Sequence, residues 1–226
     1  MISRLHYITQ DLPDFSHAEL VELACKGGAD WVQLRTKNKS YDEWLKIALE
    51  TKLVCAKYGA KLIINDNVQI AKKISADGVH LGKDDMDPKE ARKILGNNFI
   101  IGGSSNTIDD VKRLIAEGVD YIGIGPYKFT STKEKLNPVL RLEGIRANTK
   151  AVKTFVFSAP PLIAIGGIKL EDVEPLMETG IHGIAVSSAI NLAADKSEMT
   201  GKFVSTLDLI KKSPLIPLYK GETRLP

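Results

Sequence analysis

The chain has 226 residues, 43% of them hydrophobic and 26% charged, which supplies enough apolar side chains for a sizeable core in one domain. Its formal net charge of +3, with bases interspersed among acids, excludes a massed basic surface for nucleic acid and fits small anionic ligands better. No apolar run approaches membrane-spanning length and residues 1–11 lack a secretory leader's apolar core, so no membrane association and a cytoplasmic location are expected.

From the N-terminus, residues 5–9 (LHYIT) open a series of short apolar runs. Four later runs share one pattern, a tight helix exit feeding a strand: residues 28–35 (GADWVQLR), 75–82 (SADGVHLG), 118–125 (GVDYIGIG) and 180–186 (GIHGIAV). Between them lie 61–65 (KLIIN), 99–102 (FIIG) and 162–165 (LIAI), which makes eight predicted strands. The gaps read as helices. Ser16 with Glu19, Ser40 with Glu43, Asp87 with Pro88 and Glu90, and Thr107 with Asp110 have the spacing that satisfies free N–H groups at a helix start. In the second helix Trp44, Ile47, Ala48, Val54, Cys55 and Tyr58 fall on one apolar face opposite Lys and Glu. Cys25 and Cys55 occupy apolar helical positions without metal-type spacing and read as reduced core thiols.

Strands alternating with helices over this length predict an α/β fold, a single-domain (β/α)8 TIM barrel spanning residues 1–212. A doubly wound open sheet obeys the same local rules, and the repeat count favours the barrel. Residues 141–161 read as a helix followed by an irregular stretch, and residues 213–226 as a loose C-terminal tail.

In a parallel barrel, ligands gather over the carboxyl ends of the strands. Strand two ends in Gln33, Arg35 and Lys37, alternate residues that share a side where the chain stays extended. Strand three ends in Asn65 and Asp66, and strand four leads to Asp84 and Asp85, placing carboxylates on neighbouring loops in a way that suits magnesium (Mg2+). Strand five leads to Gly103 and Ser104. Strand six, with Gly123 and Gly125 allowing close backbone approach, empties into a loop carrying Thr130, Ser131, Thr132 and Lys133. Strand seven ends in Gly166 and Gly167, and strand eight in Ser187 and Ser188, the customary barrel cradle for a phosphate. The rim thus reads as two anion sites. One is a monophosphate cradle, and the other, made of Arg35, Lys37, Lys133 and a metal between Asp66 and Asp85, suits a departing diphosphate.

Each residue also has a plainer account. Asp66 fits a cap for the helix starting near Asn67, Asp84 to Asp87 fit turn and cap positions, Ser187 and Ser188 fit a polar strand end, and Arg35 and Lys37 fit solvated charges. His80, inside a strand, and His182, at a strand entrance, read as structural; His6 and His17 have no evident partner, and no Ser/His/Asp or Cys/His nucleophile set emerges.

Taken in order, Gln33-Leu-Arg-x-Lys37, Ile64-Asn-Asp66, Asp77-Gly-Val-His-Leu-Gly82 with Asp85, Gly103-Ser104, Gly125-Pro126, Thr130-x-Thr-Lys133, Gly166-Gly167 and Ser188-Ala-Ile190 make the chain resemble the thiamine phosphate synthase (thiamine phosphate pyrophosphorylase) family. The resemblance implies a transferase that joins 4-amino-2-methyl-5-hydroxymethylpyrimidine diphosphate to a thiazole phosphate, releasing diphosphate. By this likeness Asp66 and Asp85 carry Mg2+; Arg35, Lys37, Asn65 and Lys133 hold the diphosphate; and Gln33 contacts the pyrimidine. Ser104 and Lys133 lie beside the reacting centre, Thr130 and Thr132 bind the thiazole partner, and its phosphate rests on Gly167, Ser187 and Ser188. Partners are then small molecules, with self-association into a homo-oligomer left open. Two positions depart from the family pattern: Lys83 where Gln is usual and Asn106 where His is common.

Three rivals remain at this point. A thiazole tautomerase shares the barrel and the cradle but calls for a histidine acid/base, and Asn106 stands where one is expected. A non-catalytic thiazole-phosphate carrier has no need of Asp66, Asp85, Arg35, Lys37 and Lys133. An unrelated sugar-phosphate isomerase barrel is supported by the cradle alone.

Overall fold

The computed structural model describes residues 1–130, 137–155 and 159–212. Ser131, Thr132 and Lys133 and the 213–226 tail lie outside the described residues.

Eight parallel strands close into a barrel in simple sequential order, β1 (Leu5–Ile8), β2 (Trp31–Leu34), β3 (Lys61–Asn65), β4 (Gly78–Leu81), β5 (Ile100–Ser105), β6 (Tyr121–Ile124), β7 (Leu162–Ile165) and β8 (Gly183–Val186), with β8 pairing back onto β1. Helices α1 (His17–Lys26), α2 (Tyr41–Tyr58), α3 (Val68–Ile74), α4 (Pro88–Leu95), α5 (Ile108–Glu117), α6 (Arg141–Phe155) and α7 (Val173–Glu178) return the chain between strands. After β8 come a short α8 (Ser188–Asn191) and a long α9 (Lys196–Lys212). The strands are continuous apolar runs because both faces are covered. On the inside, Ile8, Trp31, Ile63, Tyr121, Ile163 and Ala185 pack into a closed plug, with the His6 ring stacked on Trp31 at 4.4 Å. On the outside, alternate strand residues such as Val32, Leu34, Ile64 and Val79 meet the helices in one large cluster.

The expected helix starts are present. Ser16, Ser40 and Thr107 each form a reciprocal capping box, and the Asp87 carboxylate accepts from Lys89 N at 2.8 Å ahead of Pro88. For α3 the cap is Asn67, whose side chain accepts from Ile70 N at 2.9 Å. Cys25 and Cys55 are buried free thiols, and burial raises both above the ordinary range, Cys25 to about 11.

One boundary differs from the sequence reading. Strand β5 runs on through the glycine pair to Ser105, beyond the expected end at Gly102; the ladder continues with Ser104 beside Gly123 and Ser105 beside Ile124, because the bare glycines let the Tyr121 ring and the Leu114 side chain pass closely. Ser104 is therefore on a rigid strand instead of a loop. Beyond Leu192, α9 seats Phe203, Leu207 and Ile210 in the outer core.

Candidate active site

The carboxyl ends of β2, β3 and β4 bring one polar cluster together. Gln33 and Asn65 are buried, and the Gln33 amide donates to Asn65 Oδ1 at 2.7 Å. Asn65 in turn hydrogen-bonds Asp66, which is hydrogen-bonded to Asp85 on the next loop. Asp66 holds a left-handed backbone, φ 64°, unusual for a residue with a side chain. Because Asn67 takes the helix cap, capping does not account for the Asp66 carboxylate. Burial, the hydrogen bond to Asp85 and that neighbour's charge push Asp66 up to about 7, against the opposing pull of Arg35 and Asn65. Asp85 is steadied by Gly82 N, which donates to its Oδ2 at 2.6 Å; a Cβ on Gly82 would lie 2.8 Å from that oxygen, so a side chain there would push the carboxylate aside.

Two carboxyl groups close enough to share a proton fit a divalent cation of the magnesium type. Magnesium takes one or two carboxylates and completes its shell with waters and substrate phosphate oxygens. Among the described residues no three His, Cys, Asp or Glu side chains converge, so they do not form a closed all-protein metal cage.

Arg35 links this cluster to a second feature. A cavity of about 130 Å³ opens between β5, β6, β7 and β8, lined among others by Arg35, Ser104, Thr130, Gly167, Ser187 and Ser188. Gly166 and Gly167 both have positive φ, 103° and 64°, and the turn lies flush against the β6 exit, where Lys128 N donates to Gly166 O at 2.9 Å. At the β8 end, fully buried Asn191 donates to Ser187 Oγ at 3.1 Å and to Ile8 O at 2.9 Å, while Tyr7 OH donates to its Oδ1 at 2.5 Å. Ser187 makes no helix-capping bond with its own side chain.

Structure thus gathers Gln33, Asn65, Asp66 and Asp85 on one side, Ser104, Thr130, Gly167, Ser187 and Ser188 on the other, and Arg35 between. The Lys37 side chain is not among the cavity's lining residues, though its backbone is held beside Arg35 by the β1–α1 loop. Thr132 and Lys133 lie outside the described residues.

Comparison with known proteins shows the family of the chain. Residues 5–190 match the family model described as thiamine monophosphate synthase. The chain belongs to the thiamine monophosphate synthase family. It is 47% identical over 201 residues to the thiamine-phosphate synthase of Phocaeicola vulgatus, covering 89% of this chain and 96% of that one. It is 46% identical over 196 residues to the synthase of Flavobacterium johnsoniae, covering 87% and 92%. Among solved structures, the thiamine phosphate pyrophosphorylase from Pyrococcus furiosus superposes with a TM-score of 0.81 at 31% identity, over 92% of this chain and 96% of that one.

Within this synthase-family barrel, three features escape a linear reading. His80 is buried as expected of a structural residue, yet its Nε2 lies 2.9 Å from Ser104 Oγ and its Nδ1 2.9 Å from Tyr121 OH, so it bears on the rim directly. The third partner is a phenol instead of a carboxylate, so this chain of bonds is not a nucleophile triad. His17, which has no evident partner in the sequence, is within 3.1 Å of Asp11 and 2.9 Å of Thr9. Asn106 ties two exits together, donating to Gly125 O and Pro138 O at 2.9 Å each, and Lys83 pairs with Asp110 at 3.4 Å. Both departures from the family pattern are thereby absorbed into the scaffold.

Proposed function

We propose that this chain catalyses the coupling of 4-amino-2-methyl-5-hydroxymethylpyrimidine diphosphate with a thiazole phosphate, giving thiamine phosphate and diphosphate. The observation that carries this reading is the position of Arg35, shared between the adjoining Asp66 and Asp85 side chains and a cavity lined by a glycine turn. Such a rim has room for two anions with the reacting atoms between them.

In this reading Gln33 orients the pyrimidine, with Asn65 fixing its amide through the 2.7 Å bond. Arg35, Lys37 and Asn65 meet the diphosphate, and Lys133 joins them by its place in the sequence. Asp66 and Asp85 hold Mg2+, which supplies a positive charge that neutralises the departing diphosphate. Ser104, aligned by His80, lies beside the reacting methylene. The thiazole phosphate rests on Gly167, Ser187 and Ser188, with Thr130 and Thr132 against the ring. An electron-rich aminopyrimidine stabilises a positive methylene, so carbon–oxygen cleavage precedes capture by the thiazole nitrogen. No general base is required of the protein. Exclusion of water matters more, since water would capture the cation. The buried, unpaired thiols agree with a cytoplasmic setting; no helix among the described residues is long and apolar enough to cross a membrane.

The test is diphosphate release by purified protein with both substrates, with Mg2+ present or chelated, and with each substrate omitted in turn. Magnesium-dependent release matched by thiamine phosphate formation supports the proposal. Binding of both substrates without release sinks it.

A further inference from the structure

The turn carrying Arg35 and Lys37 lies beyond the end of β2 and has no regular secondary structure of its own; at its far side Asn38 is left-handed, φ 53°. Three consecutive residues of that turn are nevertheless each tied to the segment that follows β1. Arg35 N donates to Thr9 Oγ1 at 2.9 Å, Thr36 Oγ1 donates to Asp11 Oδ1 at 2.7 Å, and Lys37 N donates to Asp11 Oδ2 at 3.0 Å. His17 joins the two anchors. Its Nδ1 is 2.9 Å from Thr9 Oγ1 and its Nε2 is 3.1 Å from Asp11 Oδ1.

The arrangement is built. Thr9 is fully buried, and His17 and Thr36 are 6% exposed. The Ser16 capping box starts α1 at His17, so a helix terminus sets the imidazole's position. Both oxygens of Asp11 and the single hydroxyl of Thr9 are engaged with the turn, which leaves the Arg35–Lys37 backbone little freedom to drift.

We propose that Thr9, Asp11 and His17 are positioning residues for the anion clamp, setting the direction in which Arg35 and Lys37 present their charges to the diphosphate. This rests on the diphosphate role given to Arg35 and Lys37 above. A clamp already ordered before the ligand arrives loses less freedom on binding, so the network acts on affinity for the pyrimidine diphosphate; the thiazole-phosphate cradle at the ends of β7 and β8 is held by other bonds, among them Asn191 to Ser187 Oγ. None of the three lines the cavity that Arg35 and Ser104 share.

The experiment compares Thr9→Val, Thr9→Ser, Asp11→Asn and Arg35→Ala, measuring KM for each substrate, inhibition by inorganic diphosphate and the thermal midpoint. Thr9→Val removes the acceptor with little change of shape, and Asp11→Asn can no longer accept on both sides; each is expected to raise KM for the pyrimidine diphosphate and weaken diphosphate inhibition roughly tenfold, the size commonly seen for lost supporting hydrogen bonds. KM for the thiazole phosphate stays as in the unaltered protein, and Thr9→Ser restores the behaviour. Unchanged pyrimidine-diphosphate KM in Thr9→Val and Asp11→Asn, with a raised value in Arg35→Ala, overturns the positioning role and leaves the proposed function intact. An equal rise in both KM values with a lowered midpoint also overturns it, since that is general damage to the barrel. An unaffected Arg35→Ala overturns the diphosphate assignment and this inference with it.

Discussion

Asp66 and Asp85 meet within hydrogen-bonding reach across the ends of β3 and β4, which brings two acidic side chains from successive loops together where the proposed function puts a metal ion. A carboxyl group pushed up to about 7 by burial and by its acidic neighbour is more willing to bind a proton in the fold than in the open chain, whose ordinary value is 3.8.

Metal-free protein should therefore lose stability as pH rises from about 3.8 through about 7, because the folded state gives up a proton it holds favourably. Above that window Mg2+ is expected to raise the thermal midpoint by replacing the proton, and near the lower end it should have little effect. Thermal scans across pH, with and without Mg2+, check this; Asp66→Asn should flatten both dependences. A midpoint indifferent to Mg2+ at alkaline pH would remove the metal from this pair.

Ser104→Ala removes the hydroxyl that bonds His80 at 2.9 Å without disturbing the β5 ladder. The expected loss in kcat is about tenfold, equivalent to about 1.4 kcal/mol, the upper range of one ordinary hydrogen bond. Steady-state rates at saturation in both substrates test it, and an unaltered kcat takes Ser104 away from the reacting centre.

Gly167→Ala forces a side chain onto φ 64° and sets a Cβ 2.6 Å from Phe129 O and 2.9 Å from Lys128 Cβ. Strain of about 1–3 kcal/mol is expected, with a raised KM for the thiazole phosphate and an unchanged KM for the pyrimidine diphosphate. Chemical denaturation and the two KM values measure the two effects separately.

Asn106→Ala leaves the carbonyls of Gly125 and Pro138 without the donor they now share. A destabilisation of about 1–3 kcal/mol should follow, the usual range for stranding a buried polar group, here the Gly125 carbonyl. Denaturant titration reads it, and full stability in the variant would show that the two strand exits do not depend on this amide.

Legibility of the site varied by residue, for reasons that are physical. Gln33, Arg35 and Asn65 were open to inspection because strand ends follow from the period of apolar runs. Asp66 supported two readings until Asn67 proved to be the cap. Ser104 looked like a loop residue because a glycine pair usually ends a strand, and only the passing Tyr121 ring explains why this one continues. His17 carries no linear signal; its partners Thr9 and Asp11 precede α1 without any motif spacing, and they converge on it through the turn that enters the helix.

The amino-acid order by itself determined the elements of this protein, their alternation and hence the barrel, since capping boxes, glycine exits and apolar runs act over a few residues. Closure of the sheet decided the rest. Which polar ends face one another depends on strand register and on β8 returning to β1, contacts between residues far apart in the chain. The placing of Ser104 against His80 and the anchoring of the Arg35 turn by Thr9 and Asp11 are of that kind, and no local pattern encodes them; Asp66 and Asp85 were legible as carboxylates on neighbouring loops, and closure decided that they touch.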